Sequence, residues 1–178
     1  MYYLIALVIF LFDQLTKWLI KTRMEIGDVH PVWGDFFVIT SHRNKGAAFG
    51  ILQGQQVFFL IITVVFVIGI FYYLHKTIKM GYKRVPLALS LMLGGAIGNF
   101  LDRALYGEVV DFLQFNFNFS VFGWKIDYIY PIFNIADAAI VSGTILILFD
   151  SLVTWRREIK EAKLAEATRK ETTTNDPE

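Results

Sequence analysis

The chain has 178 residues, of which 55% are hydrophobic and 19% charged, and its mean hydropathy is +0.48. A chain of this length and apolarity indicates one integral membrane domain rather than an ordinary soluble protein. The net charge of +1 argues against nucleic acid as a partner, and the absence of cysteine excludes disulfides, thiolate chemistry and cysteine-ligated zinc.

Four apolar stretches predict four membrane-spanning helices. We interpret residues 1–20 as a span rather than a cleaved signal peptide, because they lack a basic start and a small-residue cleavage site. Uncharged runs at 57–74 and 85–101 predict the second and third spans, and the run at 135–148, extended to residue 153, predicts the fourth. In the third span, Gly94, Gly95 and Gly98 favour close helix–helix packing.

The segment 24–56 differs in composition from the spans. Glycine and proline punctuate it, and residues 36–40 have strand character, which predicts a small sheet or cradle on the membrane face. Gly46, Ala47 and Ala48 leave room for an extended peptide to lie against the backbone. Residues 156–178 form a charged tail that reads as a fraying helix, and we assign it no chemistry.

The distribution of basic residues predicts the orientation in the membrane. The short second loop carries Lys76, Lys79, Lys83 and Arg84 without an acid, and the tail is also rich in lysine and arginine. The positive-inside rule therefore places this loop, the tail and both termini in the cytoplasm, although Lys17, Lys21 and Arg23 count against that orientation.

We therefore expect a mainly α, polytopic fold of four transmembrane helices with a small extracytoplasmic β-cradle. Residues 1–155 would form the membrane domain, with outer loops at 24–56 and 106–130, and residues 156–178 the cytoplasmic tail. The aromatic stretch 119–130 is predicted to be a flexible outer flap over the active site.

Two aspartates, Asp111 and Asp137, lie in apolar surroundings at the borders of spans, where a carboxylate is costly. Two carboxylates in close contact share a proton, so one can draw a proton from water while the other feeds a carbonyl oxygen. Asn134 resembles a helix N-cap with Asp137 at the third helical position, and the helix dipole there favours the ionised form of Asp137. This pattern predicts peptide hydrolysis.

Other chemistries lack their motifs. The sequence has no HExxH, Gly-x-Ser-x-Gly or phosphate-binding glycine loop, and its three histidines have no ligand spacing, so we predict neither a metal nor a cofactor. Two other classes stay open. One is a proton-coupled carrier that uses Asp13, Asp102, Asp111 and Asp137 as a relay, and the other is an assembly subunit whose acids only pair with bases. The absence of an internal repeat and the long outer loops favour the peptidase.

Five short motifs occur in order along most of the chain. They are DQLTK at 13–17, NKGAAFG at 44–50, GNFLDR at 98–103, GEVVDF at 107–112 and FNIAD at 133–137. Together they resemble the bacterial lipoprotein signal peptidases, also called type II signal peptidases. Five ordered matches are far more specific than any single one, and the tail is not part of the resemblance.

The resemblance implies an aspartyl endopeptidase of the bacterial plasma membrane with its active site near the outer face. The family removes signal peptides from prolipoproteins, cleaving before a cysteine that carries diacylglycerol. Asp111 and Asp137 match the catalytic dyad. The expected partners are these prolipoproteins and membrane lipids, and we expect a monomer.

Further residues take expected roles from the same motifs. The residues expected around substrate and dyad are Asn44, Gly46, Asn99, Arg103 and Asn134. The residues expected to be structural are Asp13, Lys17 and Asp102. Asp13 and Lys17 are four residues apart in the favourable acid-first order, so they should pair on one helical face.

Overall fold

The computed structural model describes residues 1–46 and 55–174. The helices in these ranges are α1 (Tyr2–Arg23), α2 (Gln56–Lys79), α3 (Arg84–Tyr106) and α4 (Ile135–Thr174). The strands are β1 (Val29–Trp33), β2 (Phe37–Asn44), β3 (Val109–Val121) and β4 (Trp124–Ile129). All four helices are long and apolar enough to cross a membrane, which confirms the four predicted spans.

Helix α3 is the centre of the bundle. It is the most buried of the four spans and packs against α1, α2 and α4. Gly94 lies against the Ala6 carbonyl of α1, and Gly95 lies against the Ala136 carbonyl of α4. A Cβ at either position would collide with backbone, so the predicted packing role of the third-span glycines is confirmed.

The four strands form one antiparallel sheet in the order β1-β2-β3-β4. The first loop supplies β1 and β2, which confirms the predicted cradle, while the third loop supplies β3 and β4. Asn44 pairs with Val109 and His42 pairs with Asp111, so the end of β2 lies beside the start of β3. This pairing brings the first and third loops together at the C-terminal end of α3.

The predicted flap, residues 119–130, lies almost wholly in a β-hairpin, and we call residues 117–128 of this hairpin the hairpin arm. Its strands continue to Val121 and restart at Trp124, and the turn residues Phe122 and Gly123 both have positive φ angles. The alternation of phenylalanine with asparagine between Phe115 and Phe119 is a strand pattern, because successive side chains point to opposite faces. Mobility of this arm stays a prediction.

Helix α4 continues from the fourth span into the charged tail without a break. Its membrane-compatible part is Ile135–Ala165, so the tail is an extension of the span and not a separate helix. The division at residues 155 and 156 stays a prediction. The expected contribution of Ala47 and Ala48 to peptide binding lies outside the described residues.

Candidate active site

Asp111 and Asp137 line the same cavity, although they are far apart in sequence. Asp111 is the third residue of β3 and only 2% exposed, and Asp137 lies in the first turn of α4. The cavity has a volume of about 960 Å³ and is bounded by β2, β3, α3 and α4. The fold therefore brings the two predicted carboxylates to one site, while a shared proton between them stays a prediction.

Asp137 is held by a reciprocal cap at the start of α4. The Asp137 backbone N–H donates to Asn134 Oδ1 at 3.0 Å, and the Asn134 backbone N–H donates to Asp137 Oδ2 at 3.2 Å. This is the capping-box arrangement, and it confirms the predicted cap. The carboxylate consequently lies at the positive end of the helix dipole.

Three asparagine side chains orient the carboxylates. Asn134 Nδ2 donates to Asp111 Oδ1 at 2.7 Å, and Asn44 Nδ2 donates to Asp111 Oδ2 at 2.9 Å. Asn99 Nδ2 donates to Asp137 Oδ1 at 2.7 Å. With the backbone bond of the cap, each of the four carboxylate oxygens accepts a hydrogen bond from an amide. These donors are neutral, so they fix geometry without adding a positive charge.

The surroundings of Asp111 raise the pKa of its carboxyl group. Burial raises the pKa of its carboxyl from 3.8 to about 7, and the nearby charge of Asp137 acts in the same direction. The hydrogen bonds from Asn44 and Asn134 act in the opposite direction, because they stabilise the ionised form. Asp111 can therefore carry a proton near neutral pH, which an exposed aspartate cannot.

A buried ion cluster lies directly behind Asn99. Lys17 Nζ is 2.9 Å from Asp13 Oδ2, 3.1 Å from Asp102 Oδ2 and 2.9 Å from Asn99 Oδ1. The Lys17 side chain is only 1% exposed, and these three oxygens surround its ammonium group. Because an ammonium only donates, Asn99 must turn its oxygen to Lys17 and its NH₂ group to Asp137.

Asp13 connects this cluster to the helix that carries Asp137. Its Oδ1 accepts the Ala136 backbone N–H at 2.9 Å, while its Oδ2 accepts from Lys17. The expected Asp13–Lys17 pair is therefore confirmed, and Asp13 faces protein as predicted. Gly98 lies against the Asp13 carboxylate, and a Cβ there would collide with it. The structural roles of Asp13, Lys17 and Asp102 stay predictions that this geometry supports.

Arg103 lines the cavity from the last turn of α3. Its guanidinium donates to the Gly46 carbonyl at 3.2 Å and lies 5.1 Å from the centre of the Phe59 ring. Gln56 Nε2 donates to the Arg103 carbonyl at 2.8 Å. Arg103 thus connects α3 to Gly46 of the first loop, through the Gly46 backbone oxygen, and to Gln56 at the start of α2.

The cavity has an aromatic and aliphatic wall that the sequence analysis did not assign. Phe115 and Phe117 of β3 line it, with Tyr130 and Phe133 beyond β4 and Val141 on α4. Phe115 stacks on Phe133 with ring centroids 6.0 Å apart. The phenylalanine–asparagine alternation of β3 was the available signal for this wall. A polar dyad beside an apolar wall suits a substrate that is partly peptide and partly lipid.

The fold and this cavity define a multi-pass membrane protein that holds two carboxylates beside an apolar wall. Residues 5–153 match the model of a protein family described as signal peptidase (SPase) II. A lipoprotein signal peptidase from Bacillus pumilus is 55% identical over 152 residues, covering 85% of this chain and 92% of that protein. One from Bacillus subtilis is 48% identical over 161 residues, covering 90% of this chain and 99% of that protein.

A solved structure described as a bacterial membrane enzyme, obtained by the in meso method at 2.3 Å resolution, has the same fold. It superposes with a TM-score of 0.71 at 45% identity, covering 85% of this chain and 87% of that one. The chain belongs to the signal peptidase II family, whose members are aspartic endopeptidases that remove signal peptides from prolipoproteins. The predicted family, fold class and reaction are confirmed.

Proposed function

We propose that Asp111 and Asp137 are the catalytic pair of this peptidase. Ionised Asp137 accepts a proton from a water molecule as the water oxygen attacks the scissile carbonyl carbon. Protonated Asp111 donates its proton to the carbonyl oxygen, giving a neutral tetrahedral intermediate. When the C–N bond breaks, the leaving nitrogen takes the proton from Asp137, and Asp111 recovers its own from the collapsing hydroxyl.

The placement of both carboxylates in one cavity carries this proposal. The roles follow from their surroundings, because Asp137 lies at a helix N-terminus and the pKa of Asp111 is raised to about 7. Asn44, Asn99 and Asn134 contact the carboxylates directly, so we assign them first to orientation of the dyad. Their contact with substrate, and that of Gly46 and Arg103, is part of the same proposal.

We propose as substrates prolipoproteins that carry a diacylglyceryl-cysteine. The cavity continues from the dyad to Ile140 and Val141 on α4, and Val141 is 54% exposed on the outer side of the bundle. A lipid-modified segment could therefore enter sideways from the bilayer, with its acyl chains still in contact with membrane lipids. We propose a monomer, since one chain supplies both carboxylates and the cavity around them.

We place the enzyme in the bacterial plasma membrane with both termini in the cytoplasm and the dyad near the outer face. The basic loop between α2 and α3 supports this orientation, because it lies at the opposite end of α3 from the sheet. Residues 1–155 would form the peptidase domain with its outer loops, and residues 156–178 a cytoplasmic tail.

The direct test is incubation of the purified protein with a diacylglyceryl-modified prolipoprotein, followed by gel electrophoresis. Peptidase activity should release the signal peptide and shift the band, while the same prolipoprotein without the lipid serves as the matched control. A carrier or an assembly subunit would leave both substrates intact. Equal cleavage of both substrates would contradict the proposed lipid requirement.

The pH dependence of cleavage should have an alkaline limb near pH 7. Asp111 must be protonated to donate, and its pKa is raised to about 7 by burial and by Asp137. Its protonated fraction therefore falls as pH rises through this value, and kcat/KM falls with it. Asn44→Ala removes a donor that stabilises ionised Asp111, so its pKa should rise further and the alkaline limb should move to higher pH.

The measurement is kcat/KM against pH for the wild type and for Asn44→Ala. Asn118→Ala, on the hairpin arm, is the matched control and should keep the wild-type profile. A limb that stays in place in Asn44→Ala, or one that moves to lower pH, would show that Asp111 is not the titrating acid.

Arg103→Lys should lower kcat/KM by roughly 10-fold or more. The lysine keeps the charge but loses the planar fork that donates to the Gly46 carbonyl and faces the cavity. The assay is cleavage of the lipid-modified substrate, with Arg84→Lys, at an exposed ion pair with Asp150, as the control. Wild-type kinetics in the Arg103 variant would rule out a specific role for the guanidinium.

A further inference from the structure

The hairpin arm, residues 117–128, has two chemically different faces. Across the β3–β4 pair, Phe117 is opposite Tyr128, Phe119 opposite Ile126, and Val121 opposite Trp124. Paired residues share a face, and alternate residues along a strand do as well, so these six side chains form one apolar face. The opposite face of the arm carries the polar side chains of Asn118, Ser120, Lys125 and Asp127, and beyond the arm's base the next pair on that face is Asn116 with Ile129.

The apolar face is exposed towards its tip. Phe122 is 99% exposed and Trp124 is 79% exposed, and Phe119 and Val121 are exposed as well. Water contact on so many large apolar side chains is unfavourable, and a contiguous patch of this kind marks an interaction surface. The question is which partner this surface faces.

The face of β3 that carries the arm's apolar side chains also carries Asp111 and Phe115. These two and Phe117 line the cavity, and so do Ile140 and Val141 of α4. Those two residues lie five and six positions into the fourth span, about 8 Å along its axis from the helix start. The apolar face of the arm is therefore turned towards the bilayer, and its polar face is turned towards water.

The arm starts at the membrane boundary. Strand β3 follows the end of α3 after Gly107 and Glu108, and β4 leads into the start of α4 within six residues. From Phe117 to Phe122 the strand extends by about 16 Å past the cavity. Both ends of the arm are connected to spans. The arm therefore places the exposed aromatic residues of its tip on the membrane surface, away from the bundle.

We propose that the arm docks on the lipid bilayer and inserts Phe119, Phe122 and Trp124 at the boundary between headgroups and acyl chains. The partner is the leaflet surface nearest the candidate dyad. Aromatic side chains favour this depth. Lys125 and Asp127 carry opposite charges on the polar face, so docking depends on apolar contact rather than on anionic lipid. The inference rests on the four spans and the sheet, and it does not require the catalytic roles proposed above.

The test uses the fluorescence of Trp124 in the full-length protein. Trp18, Trp33 and Trp155 are exposed, and their replacement by Phe leaves Trp124 as the single tryptophan. The variant is reconstituted in phosphatidylcholine vesicles with or without bromine at acyl carbons near the headgroup. We expect roughly a twofold loss of emission in the brominated vesicles and little quenching by aqueous iodide. Unchanged cleavage of the prolipoprotein would verify the fold.

The matched control moves the probe to the polar face. Ser120→Trp combined with Trp124→Phe places the indole one residue before Val121 on the opposite side of the same strand. That variant should be quenched by iodide and not by brominated lipid. Adding phosphatidylglycerol should leave the Trp124 signal unchanged.

Three outcomes overturn the proposal. Quenching of Trp124 by iodide alone would place the arm in water. Protection of Trp124 from both quenchers would mean that a protein surface, such as a second copy of the chain, covers the hairpin arm. Bromine quenching that appears only with phosphatidylglycerol present would replace apolar docking with an electrostatic interaction.

Discussion

Asp111→Asn and Asp137→Asn should each lower the rate of prolipoprotein cleavage by about 1,000-fold or more while the protein stays folded. An amide has nearly the shape of a carboxylate, but it cannot exchange the proton that the reaction moves. Since the two side chains act as a unit, the double variant should be no slower than either single variant. The measurement is the initial rate on the lipid-modified substrate, with thermal unfolding recorded separately.

Asp127→Asn is the control for this pair, because it removes a carboxylate from the polar face of the hairpin arm. It should keep the wild-type rate. Substantial cleavage by a folded Asp111→Asn or Asp137→Asn variant would contradict the two-aspartate mechanism. Loss of folding in both, with normal rates in the surviving fraction, would instead support the reading in which the acids only stabilise the bundle.

Lys17→Met should destabilise the protein by about 3–5 kcal/mol, because it leaves buried Asp13 without a cation and leaves Asp102 only the more distant Lys21, at 3.9 Å. For a chain of this size that corresponds to a fall in Tm of roughly 10 °C. The variant should also lose activity beyond its loss of stability, since Asn99 loses one of the two donors, Lys17 and Asn134, that hold its oxygen and so keep its NH₂ group towards Asp137. Thermal unfolding and kcat, both measured below the lowered Tm, separate the two effects.

Two further variants give this prediction its controls. Lys79→Met, at the exposed end of α2, removes a lysine without leaving a buried acid and should change Tm little. Lys17→Met combined with Asp102→Asn removes one of the two buried carboxylates that lose Lys17, and it should recover part of the lost stability. A Lys17→Met variant as stable as the wild type would mean that the cluster contributes no net stabilisation.

The helices could be predicted from the sequence because each span is a long run of apolar residues. The cap of α4 could also be predicted, since Asn134 and Asp137 are only three residues apart and the capping geometry is local. The packing role of the α3 glycines could be predicted as well, because it follows from their spacing along one helix. In each case the residues that interact, or the residues that form the recognisable pattern, are close to one another in the sequence.

The arrangement around the dyad could not be predicted in the same way. Asn44 meets Asp111 because β2 and β3 pair in a particular register, which depends on two loops separated by two spans. The contact of Lys17 with Asn99 depends on how α1 packs on α3. The hairpin arm is a different case, because its alternating phenylalanine and asparagine residues signalled a strand that we interpreted as a loop.

The ion cluster also bears on the order in which the protein is assembled during synthesis. Asp13 and Lys17 lie one turn apart on α1, so their pair can close as soon as that helix forms. The first of the four spans can thus enter the lipid with the charges of Asp13 and Lys17 already paired. Asp102 is made much later and finds its cation only when α3 docks on α1. The pairing of Asp102 with Lys17 therefore favours docking of α3 on α1 before α4 joins the bundle.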